Sequence, residues 1–189
     1  MNRHISGPTG DSHRISASAA SDQRGEAAAL PSCGDFDIAI AQDGTWSYKK
    51  SPIGRKALVR LFSTVLQRDA EGEYWLVTPV ERCRVAVEDA PFTAVELSVT
   101  GRGENQVLRF RTNVDDWVEA GPENPIRVTS GPEPRAPRPY ILVRDGLEAL
   151  IQRPVYYELV ELGVERPEGR ATALGVWSHE IFFPLGCLD

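Results

Sequence analysis

The chain has 189 residues, 41% of them hydrophobic and 25% charged, and a formal net charge of -6. That composition fits a soluble globular protein of one domain or two small ones, and its acidic balance argues against a nucleic-acid polymer as partner. No apolar run approaches the roughly 20 residues that span a bilayer, and the start lacks the apolar core of a secretory signal.

Cys33, Cys83 and Cys187 are an odd number, widely spaced, with no C-x-x-C or His/Cys cluster. This speaks against a disulfide framework or a zinc site and predicts reduced thiols in a cytoplasmic protein. Residues 1–31 are rich in Ser, Ala and Gly without apolar periodicity, which predicts a flexible tail, with a short helix possible around 22–30. From residue 36, Phe36, Ile38 and Ile40 alternate with polar or small residues as a half-buried strand does. Gln42-Asp43-Gly44 supplies a turn, and residues 45–48 return as a second strand with Trp46 and Tyr48 on one face.

Ser51-Pro52 then has the chemistry of a helix start, a serine cap followed by proline at the first helical position. Ile53, Ala57, Leu58, Leu61, Phe62, Val65 and Leu66 fall on one helical stripe, so a helix is expected up to the Asp69–Gly72 break. Strands follow at 74–77 and around Cys83, Val85 and Val87. After the Asp89–Pro91 break they continue around Val95, Leu97 and Val99, over 106–112, and at Ile126 and Val128. A Pro-rich loop runs from 131 to 139.

The end of the chain echoes its beginning. A strand at 140–143, a turn at Asp145-Gly146, a strand at 147–151 and a helix from Pro154 to Leu162 repeat the opening pattern. Asp43 precedes Pro52 by nine residues, as Asp145 precedes Pro154. Leu58-Val59-Arg60-Leu61 is echoed by Leu159-Val160-Glu161-Leu162. Similarity at an offset of about a hundred residues predicts a duplicated hairpin–helix–strand unit. The expected division is a tail at 1–31, a first repeat at 32–92 and a second at 93–189. The fold class is α+β, predominantly antiparallel β. The second helix carries Glu158 and Glu161 where the first carries cations, so the halves have diverged in charge.

The run CGDFDIAI, DGTW and SPI-x-R-x-x-LVRLFS, with YWLVTPVE and VEDAPF, resembles a bacterial family catalogued as a domain of unknown function. FRTNVDDWVEAGPENPIRV, PYILVRDGLEALIQRPVYYELVE and FFPLG resemble its later motifs, so the likeness covers residues 33 to 186. It implies a duplicated α+β core with a C-terminal half superficially like a pleckstrin-homology fold. It also implies a ligand site, nucleotide-like in preference, where the halves meet, and a signalling role. The family pattern places glycine just before Ser-Pro-Ile, where this chain has Lys50.

Charge is concentrated in one place. Lys49, Lys50, Arg55, Lys56, Arg60 and Arg68 stand between Gly44 and Arg68 with no Asp or Glu among them. A helix N-terminus flanked by cations is an anion site, to which Ser51 adds a hydroxyl and either Trp46 or Tyr48 a stacking surface. Arg109 and Arg111, alternating on one strand, are further candidates for a phosphate or carboxylate. The competing explanations are a solvated helix face for the block and cross-strand ion pairs for the two arginines.

His179 neighbours Glu180, but adjacent residues on a strand point to opposite faces, so they do not form a dyad. No nucleophile, metal or phosphate-loop motif is present, and no catalytic residue, metal ligand or cofactor is expected. The leading expectation is a non-enzymatic cytoplasmic module that binds an anionic, nucleotide-like ligand through Trp46, Lys49, Ser51, Arg55, Arg60, Arg109 and Arg111. The alternative is a protein–protein adaptor without a small-molecule ligand.

Overall fold

Period-2 alternation runs through most of the chain after residue 36, and strands are what it forms. The computed structural model describes residues 30–33, 36–130, 137–169 and 171–188. The tail up to residue 29, most of the helix expected at 22–30, and the Pro-rich stretch 131–136 lie outside the described residues.

The first group of elements is β1 (Ile38–Ile40), β2 (Trp46–Tyr48), β3 (Ser51–Pro52), helix α1 (Lys56–Thr64), β4 (Leu66–Arg68), β5 (Tyr74–Val77) and β6 (Arg82–Val87). The second is β7 (Phe92–Thr100), β8 (Val107–Thr112), β9 (Trp117–Glu119), β10 (Ile126–Ser130), β11 (Pro137–Arg144) and β12 (Leu147–Ile151). Helix α2 (Arg153–Glu161), β13 (Val164–Glu168), β14 (Ala171–Ser178) and β15 (Ile181–Leu188) complete it. The fold is a β-rich α+β fold.

The duplication shows in the strand order. One six-stranded sheet runs β3-β2-β1-β6-β5-β4, and the other, read from its far edge, runs β9-β8-β7-β12-β11-β10. Each is two three-stranded meanders joined by one parallel pairing, β1 with β6 and β7 with β12. The repeat is therefore β1–β6 against β7–β12, with α2 and the three-stranded sheet β13-β14-β15 following it. The hundred-residue register expected from the sequence paired the wrong hairpins. It set β1–β2 against β11–β12, whereas the strand order sets β1–β2 against β7–β8.

The start of α1 also differs from expectation. Ser51-Pro52 is a strand, paired as Ser47↔Pro52 and Tyr48↔Ser51, and the helix begins only at Lys56. Lys49 and Lys50 form the two-residue turn between β2 and β3, both at positive φ (49° and 64°). That is the backbone of a type I′ hairpin, which normally announces itself with Asn-Gly. The helix also ends early, at Thr64. Ser63 and Thr64 hydroxyls bond back to the carbonyls of Arg60 and Leu61, and Leu66 pairs with Leu76 as a strand. Such back-bonding competes with helix propagation. Helix α2, by contrast, begins as expected, with proline in its first turn after the Asp145-Gly146 hairpin.

Ile40 and Trp46 from the first sheet and Phe92, Phe110 and Ile141 from the second belong to one buried cluster. Each such side chain contributes on the order of 1.5–3 kcal/mol by leaving water. The sheets are also pinned by polar contacts. Asn113 accepts from the Thr93 N–H (3.1 Å) and donates to the Gly44 carbonyl (3.0 Å). Gly44 sits at φ 83°, and a Cβ there would lie 2.7 Å from the Asn113 amide, so only glycine fits this turn,. Arg144 reaches across to the Ser63 carbonyl at 2.7 Å, placing a cation at the C-terminal end of α1,.

The cysteine expectation is overturned for two of the three residues. Cys33 and Cys83 form a disulfide, with Cα atoms 5.2 Å apart at a sequence separation of 50. Spacing along the chain was a poor guide because main-chain pairing brings the segments together: the Cys33 N–H donates to the Arg82 carbonyl, and the Arg82 N–H to that of Pro31. Cys187 is free and exposed.

Candidate anion-binding site

The cationic segment is built on the β1–β2–β3 ribbon. Lys49 donates its backbone N–H to the Asp37 carbonyl (2.8 Å), which ties the tip of the hairpin to the chain entering β1. The Phe36 and Tyr48 rings lie 5.2 Å apart, and the Lys49 ammonium sits 5.3 Å from the Tyr48 centroid. Lys50 and Ser51 follow, both exposed. After Pro52 the Ile53 N–H returns to the Trp46 carbonyl (2.8 Å), and residues 54–55 lead into α1.

Arg55 occupies the cap position of α1, and no side chain caps the helix. The first turn contains no acidic residue, so its positive dipole end is uncompensated,. Lys56, Ala57, Arg60 and Leu61 are exposed, Leu61 to 60%. Ser63 is the one buried residue of the helix, while Leu58, Val59 and Phe62 are half-buried. An amphipathic helix normally hides its apolar stripe more fully than this.

What distinguishes this segment is the clustering of its unpaired cations. Among the described residues Arg68, Arg82, Arg102, Arg153 and Arg166 also lack a carboxylate partner, but they lie scattered through the chain, three of them over aromatic rings. Arg84, Arg109, Arg111, Arg127, Arg138 and Arg144 all pair with carboxylates. Among the described residues, Lys49, Lys50, Arg55, Lys56 and Arg60 have no carboxylate partner. Five cations within twelve residues, in a chain of net charge -6, stand exposed and uncompensated.

The other expected site residues are placed differently. Trp46 is only 2% exposed and stacks on Phe62 (centroids 6.3 Å apart), so it is a core residue and offers no open face to a ligand ring. Ser51 lies in β3 and caps nothing. Arg109 is held by Glu119 (3.2 Å) and covers the Trp117 ring, while Arg111 is held by Glu96 (2.6 Å) and Asp115 (2.8 Å). Those carboxylates raise the pKa of Arg111 further, which leaves the pair as cross-strand ion pairs on β8,. Lys49, Arg55 and Arg60 remain available, and Lys50 and Lys56 join them. Both lysines belong to the block visible in the sequence; the left-handed turn that presents Lys50 does not show there.

His179 does meet a carboxylate, that of Glu119 at 3.3 Å, from another sheet rather than from its neighbour Glu180. Both side chains are about half exposed, and Glu119 is shared with Arg109. Among the described residues no thiol or hydroxyl bonds to this histidine, and no group of three His, Cys, Asp or Glu side chains gathers to hold a metal. An open trough of about 770 Å³ lies over β6, lined by Phe36, Asp37, Glu73, Tyr74, Arg84 and neighbouring residues. None of the five free cations lines it.

Two family models match in succession. One is described as the N-terminal domain of DUF1285, a domain of unknown function, over residues 29–90. The other is the C-terminal domain of the same family, over residues 91–185. No curated protein matches the chain. A solved DUF1285 family protein from Silicibacter pomeroyi DSS-3 is 48% identical, over 84% of each chain, with a TM-score of 0.77. A second, from Shewanella baltica OS155, is 24% identical over 66% of this chain and 91% of its own, with a TM-score of 0.52; that likeness speaks to the fold alone. The boundary between the family models falls in the break between β6 and β7, where one copy of the strand order ends and the next begins. Matched in both halves and nearly half identical to a solved member, the chain belongs to the DUF1285 family.

Proposed function

We propose that this protein is a non-enzymatic binding module whose recognition element is the Lys49–Lys50 turn and the N-terminal half of α1, and whose partner is anionic. The observation that carries this is the crowding of five exposed cations without carboxylate partners into residues 49–60, whereas the other unpaired arginines stand singly. Unpaired like charges repel one another, and a bound anion relieves that cost. The nucleotide-like preference suggested by the family likeness loses Trp46, which is buried, and keeps Tyr48, which is 38% exposed beside Lys49. Phosphate groups are the part of such a ligand that the five cations suit. A ligand bridging the two halves through Arg109 and Arg111 would have to displace Glu119, Glu96 and Asp115, so the site is drawn on the first half alone.

A thermal-shift panel of nucleotides, cyclic dinucleotides and inorganic pyrophosphate at low salt tests this reading. An anion that binds only the folded state raises the melting temperature by mass action. The expected result is a shift that Arg55→Ala or Arg60→Ala reduces; no shift from any member of the panel contradicts it. The adaptor reading rests on the 60% exposure of Leu61 beside the same cations, which suits a protein surface,. A signalling role belongs to the same proposal, whereas the cytoplasmic setting loses the reduced thiols it was argued from, since Cys33 and Cys83 are joined,. The pleckstrin-homology-like character of residues 93–189 is also part of the proposal. It draws support from a six-stranded sheet followed directly by a helix.

A further inference from the structure

The two helices expose opposite charges. On α1 the outward residues are Lys56, Ala57, Arg60, Leu61 and Thr64. On α2 they are Arg153 and Pro154 in the first turn and then Tyr157, Glu158 and Glu161, so the later turns of α2 carry only acidic charge. Leu61 is 60% exposed and Tyr157 59%, so each face sets one large apolar side chain among its charges. Among the described residues, neither Glu158 nor Glu161 pairs with a cation, just as Lys56 and Arg60 pair with no carboxylate. Unpaired charges of both signs on separate helices of one chain are what a contact between copies needs.

We infer that α1 of one molecule docks on α2 of a second copy, Leu61 packing near Tyr157 and Lys56 and Arg60 facing Glu158 and Glu161. This rests on the reading of the α1 segment as a binding face and names a second copy of the chain as one occupant. The contact joins two different surfaces, so it is heterologous, and whether it closes into a ring or runs on depends on the angle between the docked faces. A contact of two short helix faces is at the small end of specific interfaces, and its charges are exposed, so the association is weak and salt-sensitive. Anions that occupy the cationic face compete with it, so a phosphate-bearing ligand shifts the protein toward monomer. Self-association and ligand occupancy then become alternatives read out by one surface.

Charge exchange tests the contact. Sedimentation equilibrium of the unmodified protein, without added ligand, is expected to show concentration-dependent association at roughly 20 mM ionic strength that disappears near 500 mM. Lys56→Glu/Arg60→Glu alone and Glu158→Lys/Glu161→Lys alone are each expected to lose it, because like charges then meet. An equimolar mixture of the two variants restores opposite charges across the contact and is expected to recover association at least to the original level. A monomer at every concentration and salt overturns the inference. So does association that survives either variant, or variants that lose it and do not recover on mixing. Pyrophosphate binding by a protein that stays monomeric would leave the anion site standing and remove only the self-contact, so the two readings fail separately. Circular dichroism of each variant confirms that the exposed substitutions leave the fold in place.

Discussion

Lys50 holds a left-handed backbone at φ 64°, where an L side chain costs roughly 1–2 kcal/mol and glycine costs little,. Lys50→Gly is therefore expected to stabilise the fold by about 0.5–1 kcal/mol in urea unfolding while weakening anion binding. Loss of stability would show that the lysine makes a contact worth more than the strain. Asn113 works the other way, since its amide serves two backbone groups of different sheets. Asn113→Ala leaves the Thr93 N–H and the Gly44 carbonyl short of partners and is expected to cost about 1–3 kcal/mol. A cost below a few tenths would mean that water replaces the amide. At this scale the sequence is deceptive in one place. Ser51-Pro52 has the chemistry of a helix start, yet the unmarked Lys49-Lys50 turn folds it back as a strand before the helix can begin.

Elements with ordinary turn chemistry are the ones that sequence patterns reveal. The β11–β12 hairpin, its Asp145-Gly146 turn and the proline that opens α2 all follow from local residues. Strands β9 and β13 do not, although each pairs with the strand next to it in sequence, because β9 is only three residues long and β13 has no buried face to leave a period-2 pattern,. Trp117 faces Arg111 across the ladder, and β13, exposed along its whole length, is held by β14 alone. Contacts between elements rest on buried polar groups as well as on apolar area. Ser178, fully buried on β14, donates to the Ala120 carbonyl (2.6 Å) and accepts from the Leu108 N–H (3.1 Å) of β8. Ser178→Ala removes both bonds and is expected to cost about 1–3 kcal/mol, with faster hydrogen exchange at Leu108. Unchanged exchange there would contradict the role of this serine as the link between the two sheets.

For the whole molecule, the duplicated strand order was legible as a repeat but not in its register, because turn and proline spacing recur in hairpins that occupy different places in the sheets. The Cys33–Cys83 disulfide closes a loop of about 50 residues, and reducing it is expected to cost about 2–5 kcal/mol, a fall in melting temperature on the order of 10 °C,. A melting temperature unaffected by reductant would contradict that. Burial also raises the phenol pKa values of Tyr74, Tyr140 and Tyr156 above the usual value near 10, with the Asp89 charge adding to it for the first two. A raised folded-state pKa leaves stability intact below about pH 10 and removes it as pH climbs through the folded values. Absorbance at 295 nm is therefore expected to show these three phenolates appearing late, together with loss of the sheet signal. The central claim, that the uncompensated cations form the binding face, is tested most directly by a backbone-amide NMR titration with inorganic pyrophosphate at low salt. Shifts concentrated in residues 49–60, saturating and reversed by salt, are what the structure predicts. Shifts centred on Arg109 and Arg111, or none at all, would contradict it.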